Sequence, residues 1–260
     1  MILDILNSGN CFSIVRLGGV EVNAMYEFRN NGKLSTTAKK RLKLNAGFYG
    51  DRDDFAQYLA LTLDSLFQSD LNIAWNSRNH FEFYESELIP FRKTDTLKLL
   101  EPFQHDNPWL NGYKGSICVV SSFTRSMKEQ LGVLDKVHPH LALEDVNWSF
   151  VKSAQTNGTQ TPEQDYFTNL YDMFDKIVKI EPDLVLLSCG SYSVPLSGML
   201  KTHEISNIVM GGSLQLLFGL RGSRWEKRDD YITYFNPFWI RPKSVEKPLG
   251  AELIEEGCYW

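Results

Sequence analysis

The chain predicts an α/β fold with a mainly parallel sheet flanked by helices, on three observations. Two strand-glycine-helix units follow one another at residues 183–201 and 205–218, the order that builds parallel sheets through crossover helices. A third unit opens the chain, where the apolar run Phe12 to Val15 meets Gly18-Gly19 ahead of a helical pattern. Between them, strands and helices alternate through the front half.

Taken in order, residues 12–16 read as a first buried strand and residues 20–29 as a helix, with the glycines at the corner. Residues 53–68 place Phe55, Tyr58, Leu59, Leu63, Leu66 and Phe67 at helical spacing, and residues 71–75 follow as a strand. The pairs Asn107-Pro108, Asn111-Gly112 and Lys114-Gly115 mark a loop before the apolar strand 116–121. Ser122 or Thr124 is expected to cap the helix that carries Met127 to Leu131. Residues 155–161 form a polar loop ending at Pro162, and the helix from about 163 to 180 stops before Pro182. Residues 183–188 are a buried strand, Gly190 its turn and residues 194–201 the next helix; residues 205–210, Gly211-Gly212 and residues 214–218 repeat the plan. The aromatic, proline-rich stretch from about 231 to 260 is expected to wrap the surface as irregular structure, and residues 1–260 read as one domain.

Composition sets outer bounds. With 260 residues, 43% hydrophobic and 23% charged, the chain can bury a sizeable core without covalent staples. A net charge of -5 argues against broad nucleic-acid binding, which needs a basic surface to displace counterions. Cys11, Cys118, Cys189 and Cys258 form no Cys-x-x-Cys pair, so neither a zinc site nor a disulfide framework is signalled and a reducing cytoplasm is expected. Residues 1–15 include Asp4 and lack a basic segment before an apolar core, so they do not read as a signal peptide. The longest uncharged stretch, residues 184–200, is broken by Gly190, Pro195 and Gly198 and does not read as a membrane span. Exposed aromatics still allow peripheral contact with a membrane.

Ligands of open α/β sheets gather at the carboxyl ends of the strands, which here are Gly18-Gly19, Ser121-Ser122, Gly190 and Gly211-Gly212. Helix N-termini at such corners offer free N–H groups and a partial positive charge, suited to phosphate or pyrophosphate. None completes a Gly-x-Gly-x-x-Gly or Walker lysine loop. Arg16 and Glu21 bracket the first corner. An arginine ending an apolar strand must reach solvent or find an anion, whereas Glu21 has a plainer reading as a solvated carboxylate favoured by the helix dipole. A second cluster spans residues 211–225, where Arg221 and Arg224 offer planar forks for phosphate and Trp225 a stacking surface. The plainer reading pairs these arginines with Glu226 and Asp229. His138-Pro-His140 reads as loop rather than metal site, and no Ser-His-Asp arrangement is identified.

On these residues the chain resembles bacterial glycosyltransferases of the GT-D fold. The likeness spans nearly the whole chain. It is carried by Arg16-x-Gly18-x-x-Glu21, Asn45-Ala-Gly-Phe48, Val119-Val-Ser-Ser-Phe123, Gly211-Gly-x-Leu-Gln215-x-Leu-Phe-Gly219 with Arg224-Trp225, and the ending Asn236-Pro-Phe-Trp239 to Gly257-Cys-Tyr-Trp260. It implies a Rossmann-like GT-D type fold and transfer of a sugar from a nucleotide-diphosphate sugar, a UDP-sugar in the first instance, to a glycan or lipid-linked glycan acceptor. The setting implied is bacterial surface polysaccharide or glycoprotein glycan assembly, in the cytoplasm or at the inner face of the membrane. The catalytic pair implied is Glu21, as the acceptor's base or an orienting carboxylate, and Arg16, which with Arg221 or Arg224 would stabilise the leaving diphosphate. Gly18, Gly19, Ser121, Ser122, Gly190, Gly211, Gly212, Gln215 and Trp225 are the further donor-binding residues implied. Metal-dependent members carry an Asp-x-Glu pair in the first motif. Here Gly19 stands in the aspartate's place, so only Glu21 remains for a divalent metal (Mn²⁺ or Mg²⁺), and no metal ligands are assigned. The alternatives are transfer of another phosphate-activated group on the same rim and a non-catalytic nucleotide-sugar or glycan-binding module.

Overall fold

A computed structural model describes residues 2–94, 97–106 and 108–260, so the Asn107 part of the loop signal lies outside them. One seven-stranded, all-parallel sheet runs through the chain, Rossmann-like in its layering. Its strands are β1 (Ser13–Arg16), β2 (Leu71–Trp75), β3 (Arg92–Thr94), β4 (Gly115–Ser121), β5 (Val146–Lys152), β6 (Leu184–Ser188) and β7 (Ser206–Val209), in the order β3-β2-β1-β7-β6-β4-β5.

The helices are α1 (Ile2–Leu6), α2 (Gly19–Asn31), α3 (Thr36–Arg41), α4 (Arg52–Gln68), α5 (Arg78–Ser86), α6 (Thr124–Gln130), α7 (Leu134–Val137), α8 (Tyr166–Val178), α9 (Ser193–Thr202), α10 (Ser213–Leu217) and α11 (Asp229–Ile232). Side chains alternate across the sheet, so each strand feeds two cores. Val185 and Leu187 of β6 pack with α2, α4, α8 and α9, while Leu184 and Leu186 pack with α6, α7 and α10. Burial on both faces is why these strands read as continuous apolar runs.

The chain moves outward from β1 to β3, crosses to β4 and β5, and returns through β6 to β7 beside β1. Two consequences follow for the site. The connections leaving β4 and β6 diverge, which opens a crevice at their carboxyl ends. The pairing of β1 with β7 sets the residues after Arg16 against Gly211-Gly212, nearly two hundred positions later in the chain.

The predicted elements at 12–16, 20–29, 53–68, 71–75, 116–121, 163–180, 183–188, 194–201, 205–210 and 214–218 all form, with ends shifted by a few residues. Strands β3 and β5 and helices α3 and α5 were not foreseen. The cap of α6 also differs. Neither Ser122 nor Thr124 caps it; Phe123 holds the N-cap position without a side-chain bond. Glu246 reaches in from the C-terminal stretch instead, accepting the N–H groups of Arg125 (2.8 Å) and Ser126 and the Ser126 hydroxyl.

A carboxylate on unpaired N–H groups at a helix start is favoured by hydrogen bonding and dipole together. Glu246→Ala is therefore expected to lower stability by about 1–2 kcal/mol, read as a lower urea midpoint at unchanged m. A midpoint equal to that of the parent would show that this contact contributes nothing. The stretch after residue 231 is largely irregular, as expected, yet Tyr231, Trp239 and Ala251 are buried in it rather than laid over the surface. Among the described residues, no helix is long and apolar enough to cross a membrane.

Candidate functional site

A cavity of about 870 Å³ runs along the carboxyl edge of the sheet, within the usual size of small-molecule sites, about 300–1,000 Å³. Arg16, Trp75, Ser122, Ser153, Ser188 and Val209 line it from the ends of β1, β2, β4, β5, β6 and β7. The rim inferred from glycine corners is thus one continuous site.

Arg16 lines it at the end of β1. It touches the cavity's solvent edge yet is surrounded by protein, and its Nε is buried with no hydrogen-bond partner. Burial pushes its proton affinity down, with Arg224 adding to that effect, while Glu21 and Tyr259 oppose it. The guanidinium lies against Gly211, where an added Cβ would overlap it and where φ is +57°. Glycine at 211 is what lets this cation cross the β7 corner.

Glu21 occupies the first turn of α2 and folds back over Gly18, where a Cβ would overlap its carboxylate. It is partly buried in the cavity wall rather than solvated on a surface helix. Burial pushes its carboxyl above the usual range, opposed by its own backbone N–H and by Arg16. A raised carboxyl in a cleft beside a fixed cation is poised to take up a proton.

Arg224 and Tyr259 also lie near Arg16. Arg224 lies over the Tyr259 ring at 4.7 Å, donates to its hydroxyl at 3.2 Å and pairs with Glu255. From there aromatic rings continue along the wall. Trp225 lies 6.1 Å from Tyr259, Tyr259 5.8 Å from Trp260, and Trp260 5.6 Å from Phe123.

Of the residues singled out in the sequence, Arg16, Gly18, Gly19, Glu21, Ser122, Gly190, Gly211, Gly212, Gln215, Arg224 and Trp225 all line this cavity. Ser121 and Arg221 do not. Ser121 is fully buried beneath the rim, its hydroxyl accepting the Phe123 N–H at 3.2 Å. Arg221 points away and pairs with Glu226 at 3.6 Å, the plainer of its two readings. Arg224 takes Glu255 as its partner rather than Glu226 or Asp229.

Among the lining residues the sequence did not single out are His80, Tyr58 and Glu101. His80 is only 2% exposed, and burial together with nearby Arg16 pushes its imidazole down to about 4. It enters from α5, directly after the carboxyl end of β2. That corner lacks glycine, and the polar run Ser77-Arg-Asn-His80 was its available signal. Glu101 is fully buried, accepting Ser213 (3.0 Å), Tyr231 (2.7 Å) and Gln104 (2.5 Å). These bonds tie the loop after β3 to α10 and α11.

Gly19 supplies no side chain, Arg16 already places a cation beside Glu21, and no three His, Cys, Asp or Glu side chains come together among the described residues. His138 is a core residue, stacked on Phe103 at 5.0 Å and bonded to the Leu216 carbonyl oxygen at 3.1 Å. All four cysteines are free. In comparisons with known proteins, no family model matches the chain, and no curated protein or solved structure matches it.

Proposed function

We propose that the protein is a glycosyltransferase that moves a sugar from a nucleoside-diphosphate sugar to a glycan or lipid-linked glycan acceptor. One observation carries the reading: in one cavity Arg16, with an unpartnered Nε, feels both Arg224 beside the aromatic residues Tyr259 and Trp225 and the raised carboxyl of Glu21. Aromatic rings, arginines and a carboxylate in one cavity match the donor's own parts, a flat base, a diphosphate and a reacting sugar. The resemblance to GT-D glycosyltransferases of bacterial glycan assembly supports the same reading.

In the step proposed, the acceptor hydroxyl oxygen attacks the anomeric carbon and the bond from that carbon to the diphosphate breaks. The hydroxyl proton passes to Glu21. The electron pair leaves with the diphosphate, where Arg16 and Arg224 meet the growing charge in a partly desolvated site. Phe123, Trp225 and Trp260 would stack the base. Arg224 is already paired with Glu255, so the diphosphate must compete for it.

Titration calorimetry with UDP and GDP, followed by incubation of the protein with nucleotide sugars and glycan acceptors, tests the reading. Binding of one diphosphate and release of it only when acceptor is present are expected. Failure of both diphosphates to bind overturns the proposal. Binding without transfer across the acceptor panel would favour a non-catalytic module. Chelator is expected to leave transfer intact, and activity lost to chelator and restored by Mn²⁺ would overturn the arginine-based charge stabilisation.

A further inference from the structure

Besides Glu21 the cavity wall carries polar groups short of hydrogen bonds, and beside them Arg78, whose largely exposed side chain pairs with Glu82 at 2.5 Å. Asn45 lines the cavity from the π-helical turn Leu42–Ala46, Tyr58 from α4 and His80 from α5. Asn45 Oδ1 and His80 Nδ1 are each buried without a hydrogen-bond partner, and Tyr58 Oη is buried with the nearby Thr62 hydroxyl as its one protein partner within reach. Tyr58 is 1% exposed and His80 2%. Separate packing fixes each one. The Phe48 ring sits 4.7 Å from Tyr58, which holds the Asn45–Phe48 segment against α4. A side chain at Gly19 would start 3.9 Å from His80 Nε2, so glycine there keeps that edge of the imidazole open.

Buried polar atoms left unpaired are costly and rare. Three polar groups with unmet hydrogen-bonding capacity, from three elements lining one cavity, are explained by a ligand that completes them. Their chemistry describes that ligand. An amide oxygen accepts, a phenol both donates and accepts, and an imidazole held uncharged does one at each nitrogen. None carries charge at neutral pH, because burial raises the Tyr58 phenol while burial and Arg16 lower His80. This is a lining for hydroxyl groups. Arg16 is the cation nearest Glu21, and in the nucleotide-sugar reading the diphosphate engages it.

We infer that the Asn45–Tyr58–His80 end of the cavity binds the ring of a neutral sugar through its hydroxyls and selects against uronate sugars. The inference rests on the nucleotide-sugar reading above. A sugar carboxylate placed here would face Glu21, with Arg16 taken by the diphosphate and Arg78 already paired with Glu82, and like charges at close range in a shielded site repel strongly.

Calorimetry separates this inference from the reading beneath it. UDP and GDP alone test the reading. The difference between neutral and uronate sugars on the preferred nucleotide tests the inference, using the glucose, galactose and N-acetylglucosamine forms against the glucuronate and galacturonate forms, with GDP-mannose against GDP-mannuronate if GDP is preferred. The best neutral sugar is expected to bind at least about 10-fold tighter than the best uronate. Tyr58→Phe is expected to remove about 5- to 10-fold of the neutral sugar's affinity, leave the bare diphosphate's affinity unchanged and leave the melting temperature equal or higher. A purely structural Tyr58 would lower the melting temperature without that split. A uronate bound as tightly as the neutral sugar, or a Tyr58→Phe variant that binds the neutral sugar as the parent does, overturns the inference and leaves the nucleotide-sugar reading standing. Absence of diphosphate binding overturns both.

Discussion

Glu21→Gln is expected to cut sugar transfer by about 10²- to 10⁴-fold, the usual contribution of a positioned general base. Donor affinity should change little, because the amide keeps the side chain's shape over Gly18. The pH profile adds a sharper requirement. Only the ionised carboxylate accepts the proton, so the rate climbs as pH rises through the Glu21 pKa. Burial places that pKa above the ordinary carboxylate range, and Arg16 holds it back from rising further. The acid limb of the parent therefore lies above the range of an exposed glutamate, and it disappears in Glu21→Gln. Arg16→Met removes the opposing cation and moves the limb to still higher pH. A limb that survives in Glu21→Gln would remove Glu21 from the proton transfer.

The strand-glycine-helix rhythm was legible because parallel strands are buried on both faces and their corners need small residues. It yielded β1, β2, β4, β6 and β7. Strand β5, at the sheet edge, is buried only at Val146 and Val151, with Trp148 and Phe150 half-buried between polar residues, so no continuous run announced it. Helix α5 is built from Phe81, Phe83 and Tyr84 among polar residues, types with no helical preference of their own.

That omission hid His80. The strand order lay beyond sequence reasoning for a related reason. Nothing local says that the last strand returns beside the first, yet this pairing alone brings Arg16 onto Gly211. Charged residues were the least legible, because a cation near an acid in sequence looks the same whether it is paired or poised. Arg221 and Arg224 are three positions apart, and only the second turns into the cavity.

Gly211→Ala tests that crossing directly, and its effect divides into two parts that a control can separate. The first is backbone: φ at Gly211 is +57°, and an alanine held there costs about 1 kcal/mol. Gly112 has φ +71° and nothing within 4 Å of an added Cβ, so Gly112→Ala reports this part alone. The second part is the overlap with the Arg16 guanidinium. Arg16 cannot yield freely, since Glu21, Tyr259 and Arg224 all crowd it. Its displacement should raise the total loss in Gly211→Ala to about 2–4 kcal/mol, well beyond Gly112→Ala in urea unfolding. Diphosphate affinity should fall at least about 10-fold in Gly211→Ala, as expected when a charge-assisted hydrogen bond to phosphate is lost, and stay at the parent value in Gly112→Ala. Equal losses of stability in the two variants would show that Arg16 moves aside at no cost. Full diphosphate affinity in Gly211→Ala would show that the guanidinium's seat on the β7 corner is not what holds the anion.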